Sequence, residues 1–250
     1  MDFVWIFAKQ FSAFHKTGLF NELEYSVKTV QKFYKGARCW IVGDMPDGWL
    51  SEEIKKGEVK YIETGLVQTG KSGLHRDNID LIRKMNAIIA SDVEEEFVLM
   101  YDDQYFLRPI KYKDLKPCAL CRIPDVSQYP RVFGLLYGSL WRSTYKVIEE
   151  MTDEVYDWET HLPRLLEKSK LAFLIDAYDL ESKNIMITSL YYTYYGVNPV
   201  LLDEDDTIRS HTWTIGRNMD YDEIFSKKFL TISDESIVPS MWNRIKKLVE

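Results

Sequence analysis

The sequence predicts an α/β fold: a mostly parallel sheet flanked by helices, followed by a more helical second half. Three observations carry this expectation. Residues 3–7 (F-V-W-I-F), 39–43 (C-W-I-V-G) and 96–101 (E-F-V-L-M-Y) are continuous apolar runs, as strands covered on both faces require. The segments between them repeat their apolar residues at helical spacing. Strand and helix patterns alternate along the first hundred residues, which is how parallel sheets are wound.

In order, strand 3–7 leads through a polar stretch, 8–20, to a helix over 21–35. Leu23, Val27, Val30 and Tyr34 form its apolar stripe, Asn21 can cap its start and Gly36 ends it. Strand 39–43 runs into D-M-P-D-G-W-L, a stretch of strong turn chemistry. A third strand is expected at 58–62. The segment 65–73 (G-L-V-Q-T-G-K-S-G) matches the phosphate-binding G-x-x-x-x-G-K-S pattern in full. Gly73, where a helix should begin, and the charged strand before it argue against that reading.

A helix over 77–91 places Ile79, Ile82, Asn86 and Ile89 on one face. Asn86 on that stripe needs a partner: nearby backbone or a bound ligand. Strand 96–101 ends in Asp102-Asp103-Gln104. The second half reads as helix over 133–150, the segment D-W-E-T-H-L-P at 157–163, helix over 164–180, a Tyr-rich stretch at 184–200 and an amphipathic basic helix at 237–250. The expected organisation is one compact domain, with residues 1–130 as a ligand-binding half and 131–250 as a helical half.

The 250 residues suffice for a sizeable core. The net charge of −7 disfavours an obligate nucleic-acid binder. Two basic clusters, Lys111/Lys113/Lys116/Arg122 and Lys227/Lys228 with Arg244/Lys246/Lys247, read as solvated surface or as local cationic patches. The three cysteines, Cys39, Cys118 and Cys121, lack the second pair a zinc site needs and read as reduced structural thiols. No signal peptide and no run near the ~18 apolar residues of a membrane span are expected, so the reading is a soluble, cytoplasmic protein.

Asp102 and Asp103 carry the site argument. Two adjacent carboxylates at a buried strand's carboxyl end repel each other unless neutralised. A hard divalent cation, Mg²⁺ or Mn²⁺, suits such oxygen ligands. A plain acidic turn is the competing reading.

The runs Y-S-V-K-T-V-Q-K-F (25–33), C-W-I-V-G-D-M-P-D-G-W-L (39–50), R-K-M-N-A-I (83–88) and F-V-L-M-Y-D-D-Q-Y-F (97–106) resemble the Stealth-type capsular polysaccharide phosphotransferases and their small phage and bacterial relatives. H-L-P at 161–163 and F-L-T-I-S-D at 229–234 extend the likeness. Tyr101 stands where that family carries Asn, and no third acid follows Asp103. The resemblance implies a GT-A-like (Rossmann-like) glycosyltransferase fold that binds a nucleotide sugar, UDP-sugar foremost, with Mn²⁺ or Mg²⁺. It implies Asp103 as metal ligand with Asp102 beside it, donor contacts from Lys84, Asn86 and Asp44, and a second-half histidine, His211 or His161, completing the metal shell. Asp157, Glu159 and His161 are the candidates for acid–base work on an acceptor, and Trp158 either stacks on the acceptor or fills core. The acceptor is a glycan or small hydroxyl compound, or a hydroxymethylated DNA base. Transfer of a sugar 1-phosphate and a non-catalytic binding module on the same fold are the competing functions.

Overall fold

The computed structural model describes residues 1–12, 14, 18–65, 74–123, 135–202, 208–212, 220–232 and 238–250. The phosphate-loop candidate at 65–73 lies outside these except for Gly65. The strands in chain order are β1 (Asp2–Phe7), β2 (Arg38–Gly43), β3 (Val59–Glu63), β4 (Glu96–Met100), β5 (Gln104–Phe106), β6 (Cys118–Ala119), β7 (Arg164–Glu167), β8 (Val200–Leu201), β9 (Arg209–Thr212) and β10 (Phe229–Ile232). The helices are α1 (Glu22–Phe33), α2 (Trp49–Lys56), α3 (Leu74–Ile89), α4 (Leu135–Ile148), α5 (Lys168–Ala177), α6 (Ile187–Tyr194), α7 (Tyr221–Ser226) and α8 (Pro239–Val249).

The main sheet has the order β3-β2-β1-β4-β7. β1 pairs in parallel with both β2 and β4, β2 with β3, and only the edge strand β7 runs antiparallel, against β4. The chain therefore winds from β1 outward to β3, then crosses through α3 to β4 on the other side of β1. The carboxyl ends of β1 and β4 border this reversal, the place where open α/β sheets bind ligands.

Burial explains the apolar runs. Val4, Val42, Phe97 and Leu99 face a core shared with Ile82, Met85 and Ile88 of α3 and Leu171 and Leu174 of α5. Phe3, Trp5, Ile41, Val98 and Met100 face the opposite core, against Leu23, Val27 and Val30 of α1 and Leu50 of α2. Both faces are covered, so alternation of polar and apolar residues is absent. A second sheet, β5-β10-β9, packs on Met241, Trp242 and Ile245 of α8. Ser26 joins the layers: its hydroxyl accepts from Trp5 Nε1 (2.8 Å) and donates to the Gln104 carbonyl (2.5 Å). Asn21 caps α1 by accepting from the Glu24 amide. Buried Glu22 accepts from Ser12 Oγ (3.0 Å) and the Phe14 amide (3.1 Å), which pins part of the 8–20 stretch to the start of that helix.

Two expectations change, and one open alternative is decided. Residues 164–180 are not one helix. Arg164–Glu167 form edge strand β7, and the helix starts at Lys168. The turn-like stretch after β2 ends in helix α2 from Trp49. Trp158 is fully buried against Tyr156 and Tyr192, so it fills core and offers no face to a ligand. The three cysteines are free thiols. Among the described residues, no helix is long and apolar enough to cross a membrane.

Candidate functional site

At the reversal point the sheet opens into a cavity of about 240 Å³. Ile6 and Ala8 line it from the end of β1, Tyr101 and Asp102 from the end of β4, and Asp77, Asp80, Leu81 and Lys84 from α3. Phe11, 45% exposed, stands at it in the 3-10 turn Lys9–Phe11. The sheet ends are held close by local chemistry. Gly43 closes β2 with φ +132°, and a Cβ there would lie 2.0 Å from the Phe7 carbonyl oxygen and 2.9 Å from Lys84 Cε. Only glycine lets β1, β2 and the Lys84 side chain meet at this point. Asp44 follows; its amide donates to the Phe7 carbonyl (3.2 Å) and its Oδ2 accepts from the Lys9 amide (2.8 Å).

Lys84 reaches the cavity from α3 with only 5% of its surface exposed, and its ammonium sits 2.5 Å from Asp80 Oδ2, one helical turn back. A buried ammonium is costly without compensation. The pair supplies that and aims a positive charge at the cavity. Around it stand Asp77, Asp80 and Asp102, an excess of carboxylate. An anionic ligand entering here needs a cation between itself and the acids.

Asp102 and Asp103 occupy the two central positions of a turn. The Gln104 amide donates to the Tyr101 carbonyl (3.4 Å), and Gln104 Oε1 accepts from the Tyr101 amide (3.1 Å). Both acids are half-buried at the strand's end. Two adjacent carboxylates match a hard cation that takes its remaining ligands from phosphate and water, as Mg²⁺ commonly does. Among the described residues no group of three or more His, Cys, Asp or Glu forms a complete metal cage. A carboxylate pair of this kind fits a cation that shares its coordination with a ligand.

The 157–163 segment lies beside this turn because β10 grips both. The Ile232 amide donates to the Asp103 carbonyl (3.2 Å), and the neighbouring Thr231 hydroxyl donates to the His161 carbonyl (2.6 Å). His161 adopts φ +51°, the left-handed region that few residues other than glycine occupy. Glu159 is held at both oxygens: Arg164 Nη2 donates to Oε2 (3.0 Å) and Ser189 Oγ to Oε1 (2.8 Å). Buried Arg164 also donates through Nη1 to Tyr101 Oη (3.1 Å) and Thr188 Oγ1 (2.8 Å), linking the 157–163 segment to the cavity wall. Burial raises the Tyr101 hydroxyl's pKa, and the Arg164 charge beside it opposes that rise. Tyr101 stays protonated and neutral.

The structure thus gathers Asp44, Lys84, Asp102, Asp103, Glu159 and His161 at one end of the sheet. Asp157 belongs to the same segment but is 1% exposed, and its Oδ1 closes a turn by accepting from the Glu159 amide (3.0 Å). It shapes the loop and is withdrawn from any acceptor. Asn86 stands apart: two positions beyond Lys84 on α3, it points elsewhere and donates to Glu181 Oε1 (2.7 Å) beside α5. The backbone of His211 pairs with Thr231, which pairs with Gln104 in turn, so His211 lies two strands from the residue after Asp103. Its side chain lies outside the described residues. Sequence reasoning missed Asp80, Gly43, Arg164 and Tyr101. The spacing of Asp80 and Lys84 is a readable signal for a helical ion pair; Arg164 and Tyr101 meet only through the fold.

No protein-family model matches the sequence, and no curated protein matches it. Solved structures do. An active-site mutant of LgtC is 11% identical, with 99% of this chain and 95% of that one covered and a TM-score of 0.50. The galactosyltransferase LgtC in complex with donor and acceptor sugar analogues is 11% identical over 100% of this chain and 95% of that one, at a TM-score of 0.49. Mouse xyloside xylosyltransferase 1 in its apo form is 11% identical over 96% and 100%, at 0.44. The first of these likenesses spans nearly both chains, and the fold is that of the GT-A-type glycosyltransferases.

Proposed function

We propose that the protein is a nucleotide-sugar-dependent glycosyltransferase whose donor binds in the cavity between the ends of β1 and β4. The observation that carries this reading is that Lys84 and Asp102, with Asp103 next to it in the chain, line the cavity at the reversal point of a GT-A-type sheet. The described residues that line the cavity come from the first 130 positions, which supports a donor-binding first half and an acceptor-facing second half.

In this reading the nucleobase stacks near Phe11, a half-exposed ring at the cavity. Lys84 places its ammonium against the diphosphate, with Asp80 fixing its position. Asp102 and Asp103 would hold a Mg²⁺ or Mn²⁺ ion, which would neutralise charge on the departing nucleoside diphosphate. Arg164 fixes Glu159 and the Tyr101 hydroxyl, so the wall between donor and acceptor is set before substrate arrives. His161, whose carbonyl accepts from Thr231 one residue before Ile232 meets the Asp103 carbonyl, is our candidate for taking the acceptor hydroxyl's proton.

The test is incubation with a panel of UDP-, GDP-, CMP- and dTDP-sugars plus Mn²⁺, following release of the nucleotide. Wild-type protein should hydrolyse one donor slowly without acceptor, and Asp103→Ala should not. Absence of release from every donor, with and without added glycan or small hydroxyl acceptors, would overturn the enzymatic reading.

A further inference from the structure

Tyr101 joins the donor cavity to the 157–163 segment. It follows β4, two positions beyond Leu99, which faces the core shared with α3. Residues two apart on extended chain share a face, so the Tyr101 side chain lies on the α3 side of the sheet. There it lines the cavity with Ile6, Leu81 and Lys84. In sheet order the cavity runs from the end of β1, which Phe11 follows, to the end of β4. The next strand, β7, brings Arg164, which holds both the Tyr101 hydroxyl and Glu159.

The polar atoms of Tyr101 are engaged at both ends of the residue. Its amide donates to Gln104 Oε1 (3.1 Å), its carbonyl accepts from the Gln104 amide (3.4 Å) and its hydroxyl accepts from Arg164 Nη1 (3.1 Å). Both anchors are buried: Gln104 is 1% exposed and Arg164 6%. The guanidinium carbon of Arg164 also lies 5.4 Å from the Tyr101 ring centroid, close enough for a cation–π contact. A side chain held at backbone and hydroxyl cannot turn away from the cavity, and what it offers a ligand is its ring. A sugar carries its hydroxyls at the rim and C–H groups on its faces. Such a face packs on a fixed aromatic ring while the hydroxyls keep their hydrogen bonds elsewhere.

We infer that the Tyr101 ring packs against the transferred sugar of the bound nucleotide sugar, which makes Tyr101 a specificity-determining residue for a donor whose sugar presents a C–H face. The inference rests on the donor reading above. With the base at Phe11 and the diphosphate at Lys84 and the Asp102-Asp103 turn, the sugar lies toward Glu159 and His161, the side on which Tyr101 stands. Arg164 acts here through Tyr101, as the group that fixes the ring.

The experiment is calorimetric titration of the full chain, with Mn²⁺ present, using UDP-, GDP- and dTDP-sugars and the matching free nucleoside diphosphates. Tyr101→Leu removes the ring and should weaken the nucleotide sugar about fivefold or more, and the free nucleotide less than about twofold. Tyr101→Phe keeps the ring and should weaken the nucleotide sugar at most about twofold. Equal losses for nucleotide and nucleotide sugar, no loss of either, or as large a loss in Tyr101→Phe as in Tyr101→Leu would overturn the inference and leave the donor reading in place. Failure of the wild type to bind any nucleotide or nucleotide sugar would overturn the donor reading and this inference with it. Saturation-transfer NMR on the wild type reads the same contact without a variant. Irradiating the aromatic protons should mark the C–H protons of the sugar as strongly as those of the base; marking of base and ribose alone would overturn the inference.

Discussion

Lys84→Met separates the two tasks of the buried ammonium. Methionine keeps much of the aliphatic stem and deletes the charge. Asp80 then loses its partner, but its side chain is 17% exposed, so water recovers part of the loss. The cost should fall below the ~3–5 kcal/mol of a fully buried broken pair, at about 1–3 kcal/mol. For a chain of this size that lowers the melting temperature by roughly 2–4 °C per kcal/mol. Donor binding loses a charge-assisted contact to phosphate worth about 1.5–3 kcal/mol, so affinity should drop by roughly ten- to 150-fold. Asp80→Asn/Lys84→Met removes the orphaned carboxylate as well. It should regain most of the stability and none of the affinity. Thermal unfolding and calorimetric titration of both variants with the nucleotide sugar read the two quantities apart. A Lys84→Met protein that melts earlier yet binds donor within twofold of wild type would refute the reasoning and leave Lys84 a purely structural cation.

Gly43→Ala forces a Cβ to 2.0 Å from the Phe7 carbonyl at φ +132°. Strain and overpacking together should cost at least about 3 kcal/mol, seen as a lower urea midpoint; an unchanged midpoint would contradict the close approach of β1 and β2. Burial pushes the Cys39 thiol up to about 12. Cys39 should resist thiol reagents at pH 8 in the folded protein and react once it unfolds. Because the folded pKa lies above the unfolded one, the stability linked to this thiol is full below about pH 8.5 and falls as pH rises toward 12, which urea melts across that window will show.

Much of the main sheet can be read directly from the chain. The buried runs at 3–7, 39–43 and 96–101 are strands covered on both faces, and such strands advertise themselves by lacking alternation. Asp102 and Asp103 stand out because they end one of these continuous apolar runs. The edge strand β7 did not stand out. Arg164-Leu165-Leu166-Glu167 is four residues long and runs straight into a helix, so its pattern fits either state, and only pairing with β4 makes it a strand. The second sheet unites residues 104, 209 and 229, and no local periodicity can show such pairing. The site followed the same division. Lys84 was read from a motif, but its partner Asp80, the clash that fixes Gly43 and the reach of Arg164 to Tyr101 and Glu159 exist only once the sheet ends are brought together. Asn86 misled because one helix carries both residues: two positions turn it about 200° around the axis from Lys84, toward Glu181.

Calorimetric titration with nucleotide sugars, with and without Mn²⁺, in wild type and Asp103→Ala, tests the donor site most directly. Tight binding of one nucleotide sugar that requires the metal and disappears in Asp103→Ala is the predicted result. Binding that ignores both the metal and the substitution would contradict the assignment of the Asp102-Asp103 turn, and no binding of any donor would leave the fold without the function proposed for it.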